Sequence, residues 1–186
     1  MAVSLNEDNL GFSATEVFIP NIVVCAAVAI KLTDGFAGIH FTPATQEAEI
    51  NVAVEFAAET LAPLGGSVQE LVFFVKEEDF GTANKKLVTD ALHKAFNKTA
   101  TIIKKSTAAH GAIVDLWLHA PAETGNTSWI GVRPHPNQTP QQVTTPSPHV
   151  YKINTLTKPP SIAVARFQNL PGDAKTKEYK GTYTSL

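Results

Sequence analysis

IVVCAAVAIKLTDGFAGIHF, residues 22–41, alternates with a period of two on both sides of a turn. In an extended chain Val24, Ala26, Val28, Ile30 and Leu32 fall on one face, and Val23, Cys25, Ala27, Ala29 and Lys31 on the other. One face is bulky and apolar; the other is small and ends in a charge. That is the pattern of a strand with its larger side in a core. Asp34-Gly35 is a hairpin signal, because both residues tolerate the positive φ of a tight turn. Residues 36–41 return as a second strand, with Gly38, His40 and Thr42 on one face and Ala37, Ile39 and Phe41 on the other.

Working outward, Thr42-Pro43 reads as a helix cap followed by a proline at the first helical position. Residues 44–62 fit either period, since Ile50, Val54, Ala57 and Leu61 suit a helix and Ile50, Val52, Val54 and Phe56 suit a strand. Length and alanine and glutamate content favour the helix. Gly65-Gly66 is a turn, and residues 71–75 are a continuous apolar run, a strand buried on both faces. Thr82 caps a helix over 83–96 with Leu87, Val88, Ala91, Leu92 and Ala95 inward. Strands are predicted around 99–105, 112–119 and 128–133. Upstream, residues 16–19 form a short strand ended by Pro20-Asn21, and residues 1–14 have no clear period. Seven of the twelve prolines lie between Pro134 and Pro160, among Thr, Gln and Asn, marking an extended segment with a return strand at 162–167. The expected fold class is α/β (α+β): a β-sandwich-like mixed sheet core flanked by helices. Residues 1–133 form the main domain, and a Pro/Thr-rich extension, 134–186, packs on it.

The chain has 186 residues, 44% hydrophobic and 17% charged. That is enough apolar material for one folded domain and excludes intrinsic disorder. No apolar run approaches the roughly 18 residues of a membrane helix, and the start lacks a secretory signal pattern. The expected location is the cytoplasm, or a host cytosol reached by a secreted effector. A net charge of −2 with scattered basic residues gives no nucleic-acid footprint. The single cysteine excludes an internal disulfide and multi-thiolate zinc sites.

Cys25 and His40 are the candidate catalytic pair. A cysteine nucleophile needs its proton removed, and a nearby imidazole can take it. With Asp34-Gly35 as a two-residue loop, paired residue numbers sum to 69. Both side chains then emerge on the small face, where Ala27 and Ala29 leave room for a substrate. His40 stands opposite Ala29 in that register, roughly 13 Å along the strand from Cys25; a four-residue loop moves it opposite Ala27, about 7 Å away. The alternative is that Cys25 is a small core residue, since free cysteine is among the most buried residue types.

Residues 18–43, FIPNIVVCAAVAIKLTDGFAGIHFTP, resemble the active-site stretch of the CheD family of chemoreceptor glutamine deamidases: a cysteine opening a strand of small residues, a turn, then Gly-x-x-His and a proline. Ala62-Pro63-Leu64-Gly65-Gly66 is similar to the family's double-glycine segment, and Phe80-Gly81-Thr82-Ala83-Asn84 to its helix start. Ala109-His110-Gly111 and Glu123-Thr124-Gly125 are similar to its closing strand hairpin. The fifteen-residue interval from Cys25 to His40 also resembles toxins of the cytotoxic necrotising factor type, which deamidate a glutamine of a host protein. The resemblance implies a hydrolase, a protein glutamine deamidase, with Cys25 as nucleophile and His40 as general base. The implied partner is a protein presenting a glutamine, and the implied chemistry requires neither metal nor organic cofactor; the charge pattern and short apolar runs leave no expected nucleic-acid partner or membrane span. The long C-terminal tail and the valines in place of glycine depart from CheD and favour a toxin or effector over a chemotaxis enzyme. The chain departs from the pattern in two places. Val23 and Val24 stand where a glycine usually precedes the cysteine, and Ile19 stands where CheD has a threonine. Pro20 or Asn21 is then the candidate to orient His40. Two readings remain beside this one: a non-catalytic binding or structural protein of the same fold, and another Cys-His acyl-transfer enzyme, a protease or transglutaminase.

Other signals are weaker. His93 reads as a solvated helical residue, and His110 and His119 lack metal-ligand spacing. Asn97, Asn126 and Asn137 open glycosylation sequons. No Walker loop, dinucleotide fingerprint or serine elbow occurs.

Overall fold

The computed structural model describes residues 2–75, 80–96, 102–106, 113–120, 128–135, 146–156, 162–164 and 184–185. His110, the 109–111 and 123–125 segments and the sequon residues Asn97, Asn126 and Asn137 lie outside them. The described strands are β1 (Val3–Ser4), β2 (Asn9–Ser13), β3 (Glu16–Ile22), β4 (Ala26–Leu32), β5 (Gly35–Phe41), β6 (Val68–Val75), β7 (Ile102–Ser106), β8 (Val114–His119), β9 (Ile130–Pro134), β10 (Pro146–Lys152), β11 (Ile162–Val164) and β12 (Thr184–Ser185). Two α-helices among the described residues, α1 (Glu47–Phe56) and α2 (Thr82–Ala95), make the fold mixed α+β. Among the described residues one sheet has the order β1-β3-β8-β9-β12 and the other β11-β10-β2-β5-β4-β6-β7.

Alternation along β4 and β5 divides the core in two. Ala26, Val28, Ile30, Leu32, Ala37, Ile39 and Phe41 pack with Ile50, Val54, Val88 and Leu92 of the helices. Cys25, Ala27, Ala29, Val72 and Phe74 pack with Val17, Ile19, Leu116 and Leu118 of the other sheet. The layers therefore run sheet, sheet, helices, and both faces of β4 are buried. The small face is a core face too; small residues there let a second sheet approach.

The hairpin register differs from the two-residue Asp34-Gly35 expectation. Leu32 pairs with Gly35 and Ala27 with His40, so paired numbers sum to 67 and Thr33 and Asp34 form the loop. The shift is two residues, so no side chain changes face. Gly35 supplies the unusual backbone, with φ of 151° and Ser13 O only 2.7 Å from where a Cβ would lie.

The helix over 44–62 is present, but it starts later than Thr42-Pro43. Its N-cap is Gln46, whose N–H donates to the Glu49 carboxylate at 2.8 Å. Thr42 instead bonds Asp8 and Thr45. The helix continues through a wider turn over Ala57–Leu61 and a tighter one over Ala62–Gly65. Pro20-Asn21 does not end β3. The register slips between Ile19 and Ile22, and Asn21 takes a φ of 62°, so the turn signal marks a bulge inside a strand. Beyond Pro134, β10 pairs with β2, β11 with β10 and β12 with β9, so the proline-rich part contributes edge strands to both sheets. No helix among the described residues is long and apolar enough to cross a membrane.

Candidate active site

Four strands deliver the site in two cross-strand rows. The first row is Asn9, His40, Ala27 and Phe74, across β2, β5, β4 and β6. The second is Gly11, Gly38, Ala29 and Val72. The second row is a trough with no side chain at its two glycines, and Leu5 fills it. A Cβ on Gly38 would lie 2.9 Å from one Leu5 methyl, and a Cβ on Gly11 3.0 Å from the other. The space the sequence reading gives to a substrate beside Ala29 is thus taken by Leu5, which is fully buried.

Seating Leu5 there brings its backbone to His40. The Leu5 carbonyl accepts a hydrogen bond from His40 Nδ1 at 3.0 Å. A carbonyl can only accept, so the proton is on Nδ1 and Nε2 presents a lone pair. His40 is fully buried, and its Nε2 has no hydrogen-bond partner. Burial pushes the imidazole below its ordinary pKa, against the Leu5 bond and the carboxylates of Glu7 and Asp8, which act the other way. His40 is therefore a neutral base at neutral pH. Leu5, not Pro20 or Asn21, orients it; the Asn21 N–H is held by Asp115 Oδ1 at 2.9 Å.

Cys25 lies one residue before β4, on the face of Ala27. Ala27 is directly across from His40, so sulfur and imidazole are diagonal neighbours, at roughly 7 Å between backbones. They are not hydrogen-bonded to each other. The thiol contacts Glu7 Oε1 at 3.9 Å and is 2% exposed, whereas the adjoining Val24 is 41% exposed. The chain thus passes from surface to core between residues 24 and 25. Burial, then the carboxylates of Glu7 and Asp8, push the thiol up to about 12, against a backbone hydrogen bond at Val23. In the resting site both partners are neutral: a thiol and an imidazole, not a thiolate–imidazolium pair.

The loop over residues 5–8 supplies three groups that sequence reasoning missed. Leu5 orients the imidazole, Glu7 covers the sulfur, and Asp8 ties the loop down. Asp8, at a φ of 56°, accepts from Thr45 Oγ1 at 2.9 Å and Thr42 Oγ1 at 3.2 Å. A second polar cluster braces the approach to Cys25. Asp115, 1% exposed, receives the Asn21 N–H, Arg133 Nε at 3.2 Å and His135 Nδ1 at 2.6 Å. Among the described residues no group of three or more His, Cys, Asp or Glu side chains is arranged to hold a metal ion. His93 is exposed on α2, and the fully buried His119 stacks on Trp117 at 3.8 Å.

No protein-family model matches this chain, and no curated protein matches it in sequence.

Proposed function

We propose that the protein is a cysteine-dependent protein glutamine deamidase of the CheD and cytotoxic necrotising factor type, working as a toxin or effector on a target protein. The observation that carries this reading is the locked His40. Its Nδ1 is committed to Leu5, its Nε2 is unpartnered, and the residue is on the sheet face shared with Cys25. A histidine that only filled core space gains nothing from an unsatisfied buried nitrogen, which costs about 1–3 kcal/mol.

With the thiol neutral, the chemistry is general-base catalysis. The Glu7 side chain swings off the sulfur, and a glutamine carboxamide enters beside Val24. As Cys25 Sγ bonds to the carboxamide carbon, its proton passes to His40 Nε2 and the carbonyl π pair moves to oxygen. The tetrahedral centre collapses, the C–N bond breaks, and ammonia leaves with the proton from His40. Water, deprotonated by the again neutral His40, then hydrolyses the thioester to a glutamate side chain and free thiol. An amine in place of water gives a transglutaminated product.

The test is ammonia release, and amide-to-acid conversion read by mass spectrometry, on β-casein and on a soluble protein extract. Wild-type chain is expected to convert glutamines, and Cys25→Ala and His40→Ala to convert none above background. The burial of Cys25 in an apolar cluster favours a second reading, a non-catalytic binding or structural protein. Equal conversion by wild type and Cys25→Ala decides for that one.

A further inference from the structure

We infer that the Asn6 side-chain amide is an oxyanion donor of this site, and that with His40 Nε2 it forms a recognition pair for a primary carboxamide. The inference rests on the deamidase reading and names a group that the missing glycine before Cys25 leaves to be found. Asn6 Nδ2 is buried and has no hydrogen-bond partner. In sequence Asn6 stands between the two residues that touch the catalytic pair: Leu5, whose carbonyl holds His40, and Glu7, whose carboxylate meets Cys25. The chain thus has an orphaned donor on the residue between those two and an orphaned acceptor on His40. A carboxamide is their complement, with a C=O to accept from Asn6 and an N–H to donate to His40.

The loop is held as an oxyanion donor requires. Leu5 N–H donates to Phe18 O at 2.8 Å, Asn9 N–H to Asn6 O at 3.0 Å, and Ile153 N–H to Asp8 O at 2.8 Å. The Asp8 carboxylate is fixed to Thr42 and Thr45. The backbone that carries Asn6 is therefore fixed before substrate arrives, which limits the reorganisation its amide needs as negative charge develops on the carbonyl oxygen. When Cys25 Sγ attacks, the oxygen gains the electron pair of the C=O bond and Asn6 Nδ2–H donates to it; no atom of Asn6 is transferred.

The experiment compares wild type, Asn6→Ala, Asn6→Ser and Cys25→Ala in the full chain. It measures ammonia release from β-casein and the rate at which N-ethylmaleimide alkylates Cys25, a reaction that forms no oxyanion on a substrate carboxamide. Asn6→Ala is expected to lower turnover about 100- to 1,000-fold, with alkylation within a few-fold of wild type and partial recovery in Asn6→Ser through its hydroxyl donor. Wild-type turnover in Asn6→Ala, with Cys25→Ala inactive, overturns the donor role and leaves the deamidase standing. A parallel fall in alkylation also overturns it, because the loop then acts only by shaping the cysteine. A wild-type chain no more active than Cys25→Ala overturns the deamidase reading and the donor role with it.

Discussion

Glu7 reaches over Cys25 with its Oε1 3.9 Å from the sulfur. An exposed carboxylate on a buried thiol opposes ionisation twice, by adding negative charge beside the incipient thiolate and by accepting the hydrogen that ionisation removes. It follows burial as a cause of the thiol's rise to about 12, with Asp8 after it. Glu7 is also the one of these causes that a surface side-chain rotation can withdraw, so the thiol's reactivity depends on where that carboxylate points.

Replacing Glu7 by Gln keeps the side-chain shape and removes the charge. Alkylation of Cys25 at pH 8 is expected to accelerate, by about tenfold for each pH unit by which the thiol's ionisation falls. The unfolding midpoint is expected to stay near wild type, because Glu7 is exposed. Stopped-flow labelling with iodoacetamide measures the rate. Identical rates in wild type and Glu7→Gln show that burial alone silences the sulfur.

The hairpin was legible in the sequence because alternation survives a two-residue register shift; the loop residues and the cross-strand partners changed, His40 among them, but no side chain changed face. The body of α2 was legible from a single helical period, α1 from length and composition where two periods fitted, and β6 from its continuous apolar run. What carried no such signal was the segment over residues 1–14. Its strands are short, and its role depends on Leu5 filling a trough between Gly11 and Gly38, a contact between distant segments that no local pattern encodes. The groups around Cys25 and His40 were missed with it, because they come from residues 5–8. Pro20-Asn21 misled for the opposite reason: a strong local turn signal is accommodated as a bulge because Asp115 receives the Asn21 N–H.

Acid should weaken the fold through His40. Its folded pKa is lowered by burial, so below the unfolded value of about 6.5 the unfolded chain binds a proton that the folded chain refuses. Stability is therefore lost as pH falls through that window, at a slope of at most about 1.4 kcal/mol per pH unit. His40→Gln keeps an N–H donor for the Leu5 carbonyl and cannot titrate. Urea unfolding from pH 7 to pH 5 is expected to show wild type losing stability relative to His40→Gln. Parallel curves would mean that the folded imidazole accepts a proton freely.

The seat of Leu5 can be tested without touching the catalytic pair. Gly38→Ala puts a Cβ 2.9 Å from Leu5 Cδ1 and 3.0 Å from Ile19 Cδ1, both movable side-chain ends. Gly11→Ala puts one 2.6 Å from the His149 carbonyl oxygen, which is backbone of the neighbouring β10. Overpacking of this kind costs about 1–3 kcal/mol. Gly38→Ala is expected near the lower end and Gly11→Ala near the upper end, by thermal or urea unfolding. Neutral behaviour of both would show that the two sheets tolerate a wider spacing than the trough implies.

Asp115 is the deepest charge in the described structure and meets three donors. Asp115→Ala takes the carboxylate from Arg133, 4% exposed, and takes the acceptor from the Asn21 N–H at the β3 bulge. Breaking a buried pair from one side costs about 3–5 kcal/mol, because the remaining charge stays buried. Cys25 is four residues beyond that bulge, so the loss is expected in two readouts, a lower urea midpoint and faster alkylation of Cys25 as residues 21–25 loosen. Asp115→Asn still offers an acceptor oxygen to Asn21 but no charge to Arg133. It should therefore restore slow alkylation while recovering only part of the stability. If both variants label at the wild-type rate while unfolding early, Asp115 stabilises its own sheet and does not position the cysteine.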